Sequence, residues 1–300
     1  MSSPITTLRA VVILLAFLLI SRAGFAQQAQ EAGEYTPTVG QPGKDVIWIP
    51  TPDALVEHML KMARVGPRDF VIDLGSGDGR TVIVAAEKFR ARGLGIEYNP
   101  DMVALSKRNA GRAGVADKVQ FVEADIFESD FSHATVIMMY LLPSLNLELR
   151  PRILELQPGT RVVSHSFDMD DWRPDDKITV EGHNAYLWIV PADVAGDWSL
   201  TVPTEAGKET WTLSLEQDFQ ELSGRVHIGR RSFRLLDTEL EGTLFRFHFF
   251  DARNNRRDVL GRAFPGRLEG TLTSPDGTSV TWNAVPEDGR EAGASSRVLQ

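Results

Sequence analysis

Carboxylates that recur where apolar runs end, the first of them beside a cluster of glycines, are the residues of this chain whose spacing could do chemistry. The stretch Val71-Ile72-Asp73-Leu74-Gly75-Ser76-Gly77-Asp78-Gly79-Arg80 joins a buried-strand pattern to an acid and three alternate glycines. Glycine tolerates positive φ and, lacking a Cβ, lets the backbone approach a ligand closely, while a helix that follows presents unpaired N–H groups. Such a turn suits a nucleotide. The dinucleotide fingerprint is G-x-G-x-x-G, whereas here the third glycine comes one residue early and an acid precedes the first. D-x-G-x-G-x-G points to S-adenosylmethionine instead.

Two later segments repeat the pattern. Ala91-Arg92-Gly93-Leu94-Gly95-Ile96-Glu97 reads as a second strand whose terminal carboxylate can accept both ribose hydroxyls, as in the general nucleotide-binding plan, with Tyr98 beside it. Asn99-Pro100 then supplies an N-cap and a proline for a helix reaching about Gly114. Val119-Gln120-Phe121-Val122-Glu123-Ala124-Asp125-Ile126-Phe127 is read as a third strand, placing Asp125 at the adenine amino group and Ile126 or Phe127 against the ring. The expected cofactor set is therefore Asp73, Gly75, Ser76, Gly77, Gly79, Glu97, Tyr98, Asp125 and Ile126.

Strands alternating with helices must position these residues. The segment Thr51-Pro52-Asp53 is expected to cap a helix to about Ala63, with Leu55, Val56, Met59 and Leu60 near helical spacing. A fourth strand at 134–139, a fifth at 160–166 after the turn Gln157-Pro158-Gly159, and a closing strand at 185–190 after a short stretch around Ile178 complete an α/β doubly wound sheet. After Gly196 the pattern changes to eight short β-like runs separated by Gly, Asp, Asn or Pro, which predicts a small antiparallel β-barrel or sandwich. Thr243 to Phe250, with Phe245, Phe247 and Phe249 alternating, reads as a half-buried strand.

The segment 46–191 resembles a class I S-adenosylmethionine-dependent methyltransferase with a Rossmann-like sheet. Within that superfamily Thr51-Pro52, Asp73-Leu74-Gly75-Ser76-Gly77-Asp78-Gly79-Arg80, Gly95-Ile96-Glu97-Tyr98-Asn99-Pro100 and the later stretch from Phe167 to Pro174 are similar to the small protein-lysine methyltransferases of the ATP-synthase c-subunit type. The DLGSG start more distantly resembles the non-SET histone lysine methyltransferases. The resemblance implies methyl transfer to a nucleophilic acceptor, most concretely a protein lysine amine. It covers about half the chain and is more specific for cofactor than for acceptor. Tyr140-Leu141-Leu142-Pro143 stands where the superfamily places acceptor-side residues and is not the Asn-Pro-Pro-Tyr signature of amide and nucleobase amine methylation.

Methyl transfer from a sulfonium needs an acceptor lone pair held in line and water excluded. It requires no metal. A lysine acceptor must also lose its proton, which a desolvated pocket promotes without a dedicated base. Tyr140 and His165 are the candidate catalytic residues; Tyr140, Pro143, Phe167 and Trp172 are the candidate acceptor pocket. Packing roles at strand ends are the alternative for each. Asp168, Asp170 and Asp171 form an acid cluster that a solvated loop explains or that could recognise a cation. Two other classes are weighed against the enzyme. A nicotinamide oxidoreductase lacks its fingerprint, whereas a non-catalytic adenosine-ligand sensor, or an enzyme acting on a small molecule, keeps the same site.

With 42% hydrophobic and 24% charged residues, 300 positions suffice for two ordinary domains. The expected organisation is a signal peptide at 1–26, a flexible linker at 27–45, the methyltransferase domain at 46–195, a β-rich accessory domain at 196–286 and a disordered tail at 287–300. Arg9, an apolar run at 10–20 and Gly24-Phe25-Ala26 describe a signal-peptidase substrate cleaved before Gln27, which predicts an exported, periplasmic or envelope-associated protein, membrane-anchored if left uncleaved. Export sits awkwardly with a cofactor made in the cytosol. There is no cysteine, hence no disulfide framework and no cysteine-based metal site. Between Arg225 and Arg267 ten arginines face five acids, a pattern of solvated strand faces or of docking to an anionic surface, and no nucleic-acid module is recognisable.

Overall fold

The computed structural model describes residues 35–204, 207–287 and 289. The chain divides into a unit Met1–Thr38 and a unit Val39–Gln300, and both sheets belong to the second. The expected signal segment, the start of the linker and the end of the tail lie outside the described residues. Among the described residues no helix is long and apolar enough to cross a membrane.

Strands β1 (Phe70–Leu74), β2 (Arg92–Glu97), β3 (Val119–Glu123), β4 (Val136–Met139), β5 (Arg161–His165), β6 (Asp176–Val180) and β7 (His183–Ile189) form one sheet in the order β3-β2-β1-β4-β5-β7-β6. The first five run parallel and β7 runs antiparallel between β5 and β6. The helices are α1 (Asp53–Met62), α2 (Arg80–Phe89), α3 (Pro100–Arg112) and α4 (Pro143–Leu154). Central strands flanked by helices bury both faces, so β4 is apolar throughout and fully buried, and β1 is apolar but for Asp73. Each fully buried aliphatic side chain here contributes roughly 1.5–3 kcal/mol. Strand order reverses between β1 and β4, and in open α/β sheets the ligand crevice lies outside the carboxyl ends of the strands at such a switch point.

Local signals at the helix starts are mixed. Asn99 caps α3, its side chain accepting from the N–H groups of Asp101 and Met102, with Pro100 at the first helical position. Thr51 makes no cap on α1, which begins after Pro52 with no side-chain cap. Its hydroxyl is engaged elsewhere. The third strand stops at Glu123, so Asp125 stands in the following turn rather than at a strand end.

The second sheet is antiparallel and has nine strands: β8 (Gly196–Thr204), β9 (Gly207–Asp218), β10 (Glu221–Ile228), β11 (Arg231–Arg234), β12 (Leu236–Glu241), β13 (Leu244–Phe250), β14 (Arg256–Phe264), β15 (Arg267–Thr273) and β16 (Ser279–Pro286). It curls until its ends meet: Leu235 N donates to Gly224 O at 3.1 Å and Thr238 Oγ1 to Leu222 O at 2.5 Å, giving a nearly closed barrel. Phe245, Phe247 and Phe249 point inward with Trp198, Trp211 and Trp282, as alternation predicts. The strand absent from the expected eight is β12. It is acidic, buries only Leu240 among its residues, carries a register shift, and has Asp237 at φ 48°. Several of the arginines are paired locally, Arg246 with Glu239, Arg256 with Asp258, Arg257 with Asp251 and Arg267 with Glu269, as solvated strand faces require.

Candidate functional site

The carboxyl ends of β1 to β5 open onto a cleft of about 470 Å³. Its glycine loop is fixed before any ligand arrives. Gly75 N and Ser76 N both donate to Ile96 O, at 2.9 and 3.0 Å, while Ser106 Oγ and Asn109 Nδ2 of α3 hold the carbonyls of Gly77 and Asp78. Gly77 lies at φ 53°, and a Cβ there would stand 2.6 Å from Trp48 Nε1, so any side chain strains the backbone and must displace Trp48. Gly79 plays a different part. It is the left-handed N-cap of α2, absent from the cleft wall, and a Cβ on it would meet the Phe121 ring at 2.7 Å.

Glu97 is clamped by two backbone donors, Gly77 N and Asn99 N, both at 2.9 Å. Its carboxylate is thereby aimed rather than free to swing. Asp73 is buried beneath the loop, and burial, then the Glu97 and Asp78 carboxylates, push its pKa up to about 7 against the opposing bond from Thr81. Such a carboxyl gains most from a cationic partner. Ser76 Oγ is buried beside Gly95, where a Cβ would stand 2.5 Å from it, and has no hydrogen-bond partner in the protein.

Lys44 closes the far end. Its Nζ donates to Asp125 Oδ2 at 2.5 Å and lies 5.4 Å from the centre of the exposed Tyr98 ring. The bond from Lys44, then that from Phe127 N, lowers the Asp125 pKa. Gln41 to Thr51 line the cleft along their whole length, held in a strap by the Pro42–Ile47 bridge and by Gly40 N donating to Trp48 O at 2.8 Å. Residues 41–45, which composition assigns to a linker, are therefore part of the site. Lys44 and Trp48 carry no motif; their only signal is proximity to Thr51-Pro52.

At the other end Tyr140 follows β4, and Phe167 follows β5. Their rings stack at 6.3 Å and both line the cleft, with Leu142 and Leu145 completing an apolar wall. His165 is buried behind this wall, its ring 3.8 Å from that of Tyr140. Burial, then the neighbouring His183, pushes its pKa down to about 4, so it is neutral at pH 7. Pro143 is exposed at the first turn of α4 and lies off the cleft, its neighbours Leu142 and Leu145 standing there instead. Trp172 is likewise outside. It is fully buried, stacked on Phe219 at 5.7 Å, and donates from Nε1 to Gln220 Oε1 at 3.0 Å, because the β9–β10 turn of the barrel docks on this loop. Among the described residues no group of three His, Cys, Asp or Glu side chains is placed to hold a metal.

A clamped acid at the end of β2, a buried acid in β1 under the glycine loop and an aromatic pocket after β4 and β5 define a nucleotide-cofactor cleft of the class I methyltransferase kind. Residues 73–176 match the model of the ANTKMT methyltransferase domain. The chain is 40% identical over 151 residues to a protein-lysine N-methyltransferase of Saccharolobus islandicus, a match covering 48% of this chain and 94% of that protein. It is 35% identical over 147 residues to the human lysine N-methyltransferase of the ATP-synthase c-subunit, covering 48% of this chain and 61% of that one. A solved structure, an RNA methyltransferase from Salinibacter ruber in complex with S-adenosyl-L-homocysteine, is 52% identical with a TM-score of 0.48, covering 49% of this chain and 96% of that one. The chain belongs to the S-adenosylmethionine-dependent methyltransferases, in the family that includes the Saccharolobus enzyme. The barrel lies beyond the part that the family model matches.

Bound in this cleft, S-adenosylmethionine supplies a methyl group activated on a sulfonium. The protein's part is to hold and to exclude. Asp73 would take the cofactor's ammonium, Glu97 the ribose hydroxyls and Asp125 the adenine amino group, while Tyr140, Leu142 and Phe167, which line the cleft, would keep water from an acceptor there.

Proposed function

We propose that this enzyme methylates a lysine amine of a protein, with Tyr140 and Phe167 forming the acceptor channel. One observation carries the reading: the wall beside the cofactor cleft is aromatic and aliphatic, formed by Tyr140, Leu142, Leu145 and Phe167. A flexible four-carbon stem fits an apolar channel, and desolvation lowers an ammonium's pKa so that the nitrogen enters with its lone pair free. The kinship with a protein-lysine N-methyltransferase over nearly that protein's whole length supports it. A stacked aromatic wall also admits cationic methylated forms of lysine, so successive transfers are compatible with it.

The test incubates the purified chain from Gln27 onward with methyl-tritiated S-adenosylmethionine and a fractionated cell extract, using Gly77→Arg as the blank. Label removed by protease and untouched by ribonuclease is the expected result. Label removed by ribonuclease, or confined to small molecules, contradicts the reading. Export belongs to the same proposal. Mass spectrometry of the protein made in its own host is expected to find a chain starting at Gln27, and an intact Met1 start would refute cleavage there.

A further inference from the structure

Behind the acceptor wall three side chains form a row that the site described so far leaves without a role. Thr51 Oγ1 stands 3.0 Å from His165 Nδ1, and His165 Nε2 stands 3.4 Å from His183 Nδ1. Thr51 lines the cleft, His165 is 1% exposed, and His183 lies at the surface at the start of β7. The row thus runs from the cleft through the protein wall to water.

A neutral His165 has one ring proton for two partners, so both bonds must run in the same sense. The end at water decides the sense. In the Nε2–H tautomer, which leaves that proton to water, His183 Nδ1 is an acceptor. His165 therefore donates from Nε2 to His183 and accepts at Nδ1 from the Thr51 hydroxyl. That hydroxyl has then spent its only proton on His165, so toward the cleft that Thr51 lines its oxygen can only accept. The other groups around the row are Tyr140, whose ring is tilted 36° against that of His165, and Arg80 of α2, which donates to Thr51 O at 3.1 Å and is paired with Asp78 and Asp53. None offers Thr51 Oγ1 a competing donor.

We propose that Thr51 is an acceptor-binding residue whose hydroxyl, held as a hydrogen-bond acceptor by His165 and His183, takes an N–H of the incoming amine and turns the nitrogen lone pair toward the methyl group. His165 and His183 are positioning residues that act through Thr51. The inference rests on the lysine-amine reading and deepens it. A primary amine that has lost its proton has two N–H groups and one lone pair, so one fixed acceptor oxygen removes most of the wrong orientations.

The test compares rates of N-methyl-lysine formation, read by acid hydrolysis after incubation with tritiated cofactor and the protein fraction of a cell extract. Calorimetry with S-adenosylhomocysteine is run on each variant. Thr51→Val, which keeps the side-chain shape, is expected to slow methyl-lysine formation about tenfold, the worth of one oriented hydrogen bond, with S-adenosylhomocysteine binding changed less than about twofold. Thr51→Ser should restore most of the rate. His183→Ala should slow the wild-type chain but leave Thr51→Val no slower, since it acts only through that hydroxyl. Thr51→Val at the wild-type rate, or a His183→Ala effect that persists undiminished beside it, overturns the inference. Wild-type chain that forms no methyl-lysine overturns the lysine reading and this inference with it.

Discussion

The buried carboxyl under the glycine loop should make both stability and cofactor affinity depend on pH, in opposite directions. Asp73 has its pKa raised from 3.8 to about 7 in the folded chain. An acid with a raised folded pKa keeps its proton between about pH 4 and pH 7, where the unfolded chain has already lost it. Unfolding free energy therefore falls as pH rises across that window. A shift of about three units at ~1.36 kcal/mol each makes the full loss on the order of 4 kcal/mol. S-adenosylmethionine binding should run the other way, strengthening from pH 6 to pH 8 as Asp73 ionises to meet the ammonium. Asp73→Asn removes the cost and the partner together. Urea unfolding at pH 5 and pH 8 should show the variant gaining on wild type at the higher pH, while calorimetry shows cofactor affinity both weakened and flat with pH. A variant that loses stability at pH 8, or binds with the wild-type pH dependence, would refute the assignment of the charge to Asp73.

Other perturbations separate packing from binding. Trp172→Ala should cost about 3–5 kcal/mol in chemical denaturation, because the side chain is fully buried between Phe219 and Trp188 and leaves Gln220 without a donor. Gly79→Ala should lower stability by roughly 1–3 kcal/mol through collision with Phe121 and the left-handed backbone, while Gly77→Ala should chiefly weaken S-adenosylhomocysteine binding by displacing Trp48; equal effects of the two on binding would contradict this division. Lys44→Ala should change cofactor affinity less than about threefold, as an exposed ion pair contributes little. Asp125→Ala should weaken it by about tenfold, since a ligand hydrogen bond is lost. Calorimetry that ranks these two the other way would assign the adenine end to Lys44.

Much of the cofactor half was legible because local chemistry sets it. Glycines with positive φ, a proline after an N-capping Asn99 and acids at strand ends each act within a few residues, so Asp73, Gly77 and Glu97 could be placed from spacing. The strand expected at 185–190 is β7, but it lies inside the sheet, and the edge is β6, which reads in the sequence only as a short stretch around Ile178. Long-range partners were not legible. Thr51 reads as a cap on α1 because a hydroxyl before Pro52 resembles one, yet its partner His165 lies 114 positions away. Trp172 reads as an acceptor aromatic beside Phe167, but the barrel turn at Phe219 and Gln220 claims it, a contact no periodicity reveals. The strap bearing Lys44 and Trp48 is polar and glycine-containing, so composition alone assigns part of it to a linker. In β12, outward acids mask the one buried leucine.

Methyl transfer from a cofactor held between Asp73, Glu97 and Asp125 to a lysine nitrogen beside Tyr140 has one most direct measurement. Extract protein is incubated with tritiated S-adenosylmethionine and either the wild-type chain or Asp73→Asn, then hydrolysed in acid and resolved by amino-acid chromatography. Tritium eluting as N-methylated lysine from wild type alone is the predicted result. Tritium in another residue, or equal labelling by both chains, would contradict it.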